Sequence, residues 1–134
     1  MTVSDTTAPV ITRTGNATVS VNTGTSYTDA GATATDNVDT SVTVTASGTV
    51  NTSTPGVYTV TYNATDAAGN AATAVTRTVT VSDTTAPVIT RTGNATVSVS
   101  AGATYTDAGA TATDNVDTSV TVTTSGTLLS LIHI

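Results

Sequence analysis

The segment TPGVYTVTYNATDAAGN, residues 54–70, decides the fold class of this chain. Apolar or aromatic residues alternate with mostly polar ones over residues 57–65, so one face of an extended strand there carries Tyr58, Val60, Tyr62 and Ala64. The string DAAGN then predicts a short hairpin loop over residues 66–70. A second alternating run over residues 74–81 carries on one face Val75, Arg77, Val79 and Val81. The two runs together predict a long antiparallel β-hairpin.

Four shorter runs with the same period precede this hairpin, over residues 10–12, 17–21, 32–35 and 42–46. In the last of them we expect an inward face made of Val42, Val44 and Ala46. The tripeptide Thr54-Pro55-Gly56 predicts a turn in which glycine supplies a positive φ. Threonine and valine are abundant, and β-branched residues suit a pleated sheet better than a helix. Six or seven short strands with no 3.6-residue apolar period predict an all-β sandwich of two packed antiparallel sheets.

The chain repeats itself with a period of 78 residues, since Ser4 aligns with Ser82 and Tyr27 with Tyr105. Residues 2–21 match residues 80–99 letter for letter, and the 48 aligned pairs from residue 2 to residue 49 contain only five differences. Such internal repetition is typical of tandem arrays. We predict the end of a preceding repeat at residues 1–3, a complete repeat at 4–81 and a truncated repeat at 82–128. The truncated repeat lacks the last two strands, and we expect it to fold poorly alone because its sheet edges are unpaired.

The last six residues, LSLIHI at 129–134, depart abruptly from the repeat. They resemble the translated end of a transposase adapter used in shotgun sequencing libraries, and we expect them to be foreign to the native protein. The rival interpretation is a native apolar β-strand or a sorting tail. His133 is the single histidine, so a foreign tail would leave residues 1–128 without an imidazole for a catalytic triad or a zinc site.

The chain carries many more acidic than basic residues. All nine acidic residues are aspartates, lysine and glutamate are absent, and the formal net charge is −6. A chain without a basic patch cannot release counterions from phosphates, so we expect no nucleic-acid partner. No run of 18 apolar residues is present, and we expect no membrane insertion. Cations are the more natural partners, and the lack of cysteine excludes a disulfide framework.

Four ordered strings carry a family resemblance: SDTTAPVIT at residues 4–12, TPGVYTVTYNATDAAGN at 54–70, TRTVTV at 76–81 and TYTDAGATATDNVD at 104–117. They resemble the bacterial immunoglobulin-like repeats found in tandem in large surface proteins, adhesins and some secreted hydrolases, of a type also seen in a pesticidal crystal protein. The resemblance covers residues 4–81 and 82–127. It implies immunoglobulin-like antiparallel β-sandwich repeats in tandem, an extracellular or cell-surface location in a bacterium, and neighbouring repeats of the same chain as partners.

The acidic residues of the complete repeat are expected to converge. In a sandwich of this kind, the start of the first strand, the loop after the third strand and the last hairpin lie at one pole. These places carry six candidate ligands for a hard cation such as calcium: Asp5, Asp36, Asn37, Asp39, Asp66 and Asn70. The second copy repeats four of them: Asp83, Asp114, Asn115 and Asp117. Calcium as a cofactor at the joints between repeats is also what the resemblance implies, whereas the alternative is that these residues simply form side-chain-to-backbone turns.

Other features invite catalytic or binding interpretations. Asp36 with Asp39, or Asp29 with Asp36, could form a carboxylate pair for hydrolysis, but no partner base or aromatic sugar platform accompanies them, and we expect no catalytic activity. The threonines of TRTVTV could form a flat ligand-binding array, although any exposed sheet face shows such alternation. The aromatic residues Tyr27 and Tyr58 are expected in the core.

The three arginines have simple expected roles. Arg13 and Arg91 are expected to be surface partners for nearby aspartates, and Arg77 is a candidate exception because its strand face points inward.

The leading functional hypothesis is a structural extender or stalk that holds another domain away from a cell surface. The first alternative is an adhesin module that binds a glycan or a host protein. The second is an accessory domain of a secreted hydrolase. Cell or glycan binding would favour the former alternative, and a hydrolase domain in the parent gene the latter. Fold alone does not choose among the three.

Overall fold

The structure of the protein is a computed structural model that describes residues 1–128. These residues form only strands, turns and loops, which confirms the all-β prediction, and among them no helix exists that could cross a membrane. The chain divides into two compact units, Met1–Thr84 and Thr85–Ile134. The tail at residues 129–134 and its His133 lie outside the described residues. The repeat boundaries drawn from the sequence stay a prediction.

The first unit contains six strands, each within two residues of its sequence-based position. They are β1 (Val10–Arg13), β2 (Thr18–Asn22), β3 (Ala32–Thr35), β4 (Val44–Ser47), β5 (Gly56–Ala64) and β6 (Val75–Ser82). Strands β1 and β3 form a two-stranded antiparallel sheet, and the other four form a sheet in the order β2-β6-β5-β4. The arrangement is that of an immunoglobulin-like β-sandwich.

One strand pair differs from the expectation of purely antiparallel sheets. Strand β2 runs parallel to β6, with Thr18 opposite Thr78 and Val21 opposite Val81. Parallel neighbours need a long crossover connection, and here the intervening segment that contains β3, β4 and β5 supplies it. The second and the last strand of the unit therefore lie side by side.

The β5–β6 hairpin closes where the DAAGN string predicts. The backbone N–H of Asp66 donates to the carbonyl of Asn70 at 3.0 Å, and Gly69 adopts the positive φ of 93° that the loop requires. The turn predicted at Thr54-Pro55-Gly56 is wrong, because Gly56 has no positive φ and already begins β5. The chain reverses earlier, where the Asn51 side chain accepts the Ser53 N–H at 3.0 Å, and Pro55 keeps the approach to the strand extended.

The core of the first unit comes from β1, β2, β5 and β6. Its buried apolar residues are Ile11, Val21, Val60, Tyr62, Ala64, Val79 and Val81. Tyr27 and Tyr58 are half-buried and pack against this cluster, as predicted. Ala46 was expected inward but is exposed, because β4 is the edge strand of its sheet and only its first half is covered. Burial of these side chains is the main favourable term in folding.

The second unit forms less structure from nearly the same sequence. Its strands β7 (Val88–Arg91) and β8 (Ala110–Thr113) pair in the register of β1 and β3, shifted by 78 residues. Residues 96–99 repeat the letters of residues 18–21, which belong to β2, yet they form no strand. The reason is that β2 is held by β6, and the described part of the second unit contains no equivalent of that strand. That residues 82–128 are a truncated immunoglobulin-like repeat stays a prediction.

Candidate metal centre

Four carboxylates from three separate segments meet within the first unit. Asp5 lies before β1, Asp36 and Asp39 lie in the loop after β3, and Asp66 lies in the β5–β6 hairpin. One carboxylate oxygen of each lies within 4.8 Å of the others. These are the three segments that were expected at one pole of the sandwich, and their binding of an ion stays a prediction.

Backbone amides fix the orientation of three of these side chains. The Asp36 carboxylate accepts the N–H groups of Val38 at 2.9 Å and of Asp39 at 3.1 Å. One oxygen of Asp5 accepts the Thr7 N–H at 3.0 Å. The Asp39 carboxylate accepts an N–H from the hairpin, that of Ala67, at 2.8 Å. Local turns thus hold the carboxylates, and the Asp39 contact ties the loop to the hairpin.

Asp66 is the most buried carboxylate of the cluster, and Asn70 is its main hydrogen-bond partner. Asp66 accepts the backbone N–H of Asn70 and its side-chain amide N–H, both at 2.7 Å. The same amide also donates to the Asp5 carbonyl at 3.2 Å, so it bridges the hairpin to the start of the unit. Burial alone would raise the pKa of the Asp66 carboxyl, but these hydrogen bonds and those from the hairpin amides outweigh burial and lower it. The group is therefore held as a carboxylate.

Two oxygen atoms in the cluster have no hydrogen-bond donor among residues 1–128. They are Oδ2 of Asp5 and Oδ1 of Asp36, and both are buried. Buried carboxylate oxygens without a donor are costly, and a cation is the partner that would satisfy them. The turn interpretation explains the partnered oxygens of Asp5 and Asp36, but it does not explain why the remaining oxygens converge. The donor set therefore fits a hard cation.

Five further residues were predicted as ligands: Asn37, Asp83, Asp114, Asn115 and Asp117. Asn37 is exposed in the loop between Asp36 and Asp39. In the second copy, Asp114 accepts the N–H groups of Val116 at 2.9 Å and Asp117 at 3.0 Å, which repeats the turn at Asp36. Asp83 belongs to the first unit, whereas Asp114, Asn115 and Asp117 belong to the second. A shared ion at these four residues stays a prediction.

A second polar cluster, centred on Arg77, lies in the interior of the first unit. The Arg77 side chain is 1% exposed and forms an ion pair with Asp29. It also donates to the backbone carbonyls of Thr14 and Asn16, the latter at 3.0 Å. The Asp29 carboxylate accepts the hydroxyls of Tyr27 at 2.8 Å and of Tyr62 at 2.7 Å. A buried charge with this many partners is satisfied.

These contacts shift the pKa values of the Asp29 carboxyl and the Tyr62 hydroxyl. Burial alone would raise the pKa of the Asp29 carboxyl, but hydrogen bonds from Tyr62, Tyr27 and Arg77 outweigh it and hold that pKa below its usual value. Burial and the bond to Asp29 raise the pKa of Tyr62 to about 12. The cluster is thus an ionised carboxylate and guanidinium with two protonated tyrosines. Both oxygens of the Asp29 carboxylate accept hydrogen bonds, from Tyr27, Tyr62 and the Gly31 N–H.

The sequence contains a partial signal for this cluster. The prediction that the Arg77 side chain points inward from β6 is confirmed. Nothing in the sequence of residues 27–29, however, indicates that Asp29 is its partner. Arg13, expected to pair with an aspartate, instead donates to the Thr76 carbonyl at 2.7 Å. Both contacts join residues far apart in the chain, so local sequence patterns do not reveal them.

The comparison with known protein families agrees with this fold. Residues 11–81 match the model of a family described as bacterial surface protein, Ig-like domain. A similar solved structure is the lipoprotein BT2262 from Bacteroides thetaiotaomicron, at 32% identity over 58% of this chain and 39% of that chain, with a TM-score of 0.47. The chain spans only that 39% of the lipoprotein, and the likeness is too low to support a functional statement. No curated protein matches the chain. Because the family model covers more than half of the sequence, the protein belongs to the bacterial surface Ig-like domain family.

Proposed function

We propose that the first unit is a non-catalytic spacer of a bacterial surface protein and that calcium binds to Asp5, Asp36, Asp39 and Asp66. The observation that carries the proposal is the meeting of these four carboxylates, with oxygens within 4.8 Å of one another. The family supports the surface location, since its members are domains of bacterial surface proteins. It also supports the absence of catalysis, because such domains typically have no catalytic activity.

The chemistry of the donors favours calcium over other divalent ions. Calcium takes six to eight oxygen ligands in flexible geometry, whereas magnesium requires a near-ideal octahedron and retains its waters. The carboxylates supply anionic oxygens from three segments, and backbone carbonyls or waters can complete the shell. Zinc prefers nitrogen and sulfur ligands, whereas this cluster offers carboxylate oxygens.

Such an ion would increase the stiffness of the first unit as well as its stability. The unbound cluster concentrates four negative charges, which repel one another and push the three segments apart. A bound divalent cation reverses this repulsion and ties the start of the unit, the β3–β4 loop and the hairpin together. Because the unfolded chain has no such site, binding also stabilises the fold, by about 3 kcal/mol at a calcium concentration 100 times the dissociation constant. A stiff, stable unit suits a spacer.

Thermal unfolding of the full chain tests this proposal. Calcium should raise the unfolding midpoint relative to a chelator by several degrees, and magnesium should do so much less. Asp36→Asn keeps an oxygen that can accept the N–H groups of the turn but removes the negative charge of a ligand, so it should abolish most of the calcium effect. Asp107→Asn is the matched control, because it removes the same charge from an exposed aspartate outside the cluster. An equal midpoint with calcium and with chelator would refute calcium binding.

A further inference from the structure

The first two strands of the first unit lie along its last strand from one end to the other. At the start of β6, Val75 lines one depression together with β1. Further along, the N–H of Thr78 donates to the carbonyl of Ala17 at 2.9 Å. At the end of β6, the carbonyl of Ser82 accepts the N–H of Thr23 at 2.9 Å. These contacts advance along both segments together, so β1 and β2 run in the direction of β6.

This direction decides how the unit responds to a pull on its two ends. Tension on the chain enters through the residues before β1 and leaves through the residues after β6, so it draws β2 and β6 in opposite directions along their own axes. The two strands pair from Thr18 opposite Thr78 to Asn22 opposite Ser82, and all the hydrogen bonds of this ladder are then loaded together. Hairpin strands that are pulled apart at their open end instead release their bonds one after another. The parallel pair is therefore placed to resist tension.

Two arginines add contacts between the same segments. Arg77 of β6 donates to two carbonyls of the β1–β2 loop, that of Asn16 at 3.0 Å and that of Thr14. Arg13, at the end of β1, donates to the β6 carbonyl of Thr76 at 2.7 Å. The planar guanidinium of Arg77 holds several acceptors at once, and because its side chain is 1% exposed, water does not compete for these bonds. The loop between β1 and β2 is thus fastened to β6.

We propose that the first unit bears tension, with the parallel β2–β6 pair and the Arg77 contacts as its load-bearing element. The inference rests on the proposed spacer function, because a spacer between a cell surface and another domain transmits any pull on that domain. Tension first reaches β1, which pairs with β3, and then meets the loop held by Arg77 and the β2–β6 ladder. The unit keeps its folded length until these contacts break together.

Single-molecule unfolding at constant force tests the proposal, and the absence of cysteine lets DNA handles be attached at chosen residues. The full chain with Thr2→Cys and Thr84→Cys is pulled along the β2–β6 pair. The full chain with Ser53→Cys and Thr84→Cys is pulled across the open end of the β5–β6 hairpin, where Gly56 pairs with Val81. The three replaced residues are exposed, and the second unit lies outside both load paths. A chelator is present throughout, so calcium contributes to neither rate.

At the same force, we expect unfolding to be at least about tenfold slower when the handles are at residues 2 and 84 than when they are at residues 53 and 84. The reason is that the first geometry loads the whole β2–β6 ladder, whereas the second opens the hairpin one pair at a time. Equal unfolding rates in the two geometries would overturn the proposal.

Arg77→Lys tests the part of the arginine. It keeps the positive charge that pairs with Asp29, so it should fold, but its single ammonium group cannot hold the carboxylate and both loop carbonyls. It should speed unfolding about tenfold in the first geometry. In the second geometry it should change the rate by less than about twofold, because the pairs at the open end of the hairpin break before the load reaches Arg77.

Equal acceleration of both geometries by Arg77→Lys would also overturn the proposal, since Arg77 would then only stabilise the fold. The comparison of the two geometries with Arg77 in place decides the proposal even if the lysine variant does not fold. Failure of this proposal and failure of calcium binding are distinguishable, because the unfolding rates are measured in chelator and the calcium effect is measured as a thermal midpoint.

Discussion

Arg77 is a charged residue on a strand face that also carries Val79 and Val81, which belong to the core. It is tolerated there because its guanidinium reaches Asp29 and two backbone carbonyls and lies 5.6 Å from the centroid of the Tyr62 ring. These contacts join β6 to the β1–β2 loop and to the segment before β3. The cluster therefore fixes which segments pack together, and it does so with a group that is destabilising when unpaired.

Replacing either member of the ion pair should destabilise the first unit. Arg77→Met leaves the partly exposed Asp29 without its cation and should cost about 2–4 kcal/mol in the free energy of unfolding. Asp29→Asn leaves the buried guanidinium unpaired and should cost at least as much. The double variant should cost less than the sum, since the two changes share one interaction. Urea unfolding measures all three, and Asp107→Asn, at the equivalent position of the second unit, should change stability by less than about 0.5 kcal/mol. Additive losses would contradict a coupled pair.

Tyr62 should make the first unit sensitive to alkaline pH. The pKa of its hydroxyl in the folded state is about 12, above the ordinary value of 10.0, so the folded state favours the protonated form. Its contribution to stability is complete below pH 10 and is lost as the pH rises from 10 through about 12. Tyr62→Phe should lower stability near neutral pH and flatten this alkaline decline. An unchanged alkaline decline in the variant would show that another group causes it.

At the scale of strands, the sequence predicts well what is local and poorly what depends on distant partners. Alternation located all six strands of the first unit, and DAAGN located the hairpin, because both signals lie within a few residues. The parallel pairing of β2 with β6 was missed because no local pattern specifies it. The sequence TVSV occurs in both units. It lies in a strand at residues 18–21 and forms no strand at residues 96–99. Tertiary partners, not propensity, decide that element.

A matched pair of core truncations tests this dependence. Ile11→Ala removes a side chain that is 8% exposed and should cost about 2–4 kcal/mol, since it leaves a cavity under the β5–β6 hairpin. Ile89→Ala makes the same change in the same local sequence at a side chain that is 65% exposed, and should cost less than about 0.5 kcal/mol. Chemical denaturation of the two variants gives the comparison. Equal losses would mean that both isoleucines are buried in solution.

At the scale of the molecule, the aspartates illustrate what sequence can and cannot specify about a site. Their meeting was predictable because a sandwich brings the first strand, the β3–β4 loop and the last hairpin to one end. The role of Asn70 was not: its amide N–H groups bind Asp66 and the Asp5 carbonyl, a contact that spans 65 residues. The buried oxygens of Asp5 and Asp36 likewise emerge only from the packed structure. The first unit, with its hairpin in place, therefore has the more complete set of candidate ligands.

Hydrogen exchange of the full chain, in calcium and in chelator, tests the central claim most directly. It reads the amides that hold the cluster, including Ala67, which donates to Asp39, and Val38, which donates to Asp36. Calcium should slow exchange in the β3–β4 loop and the β5–β6 hairpin of the first unit, and Asp36→Asn should remove that protection while Asp107→Asn retains it. Identical exchange of these amides in calcium and in chelator would contradict a calcium-stiffened spacer.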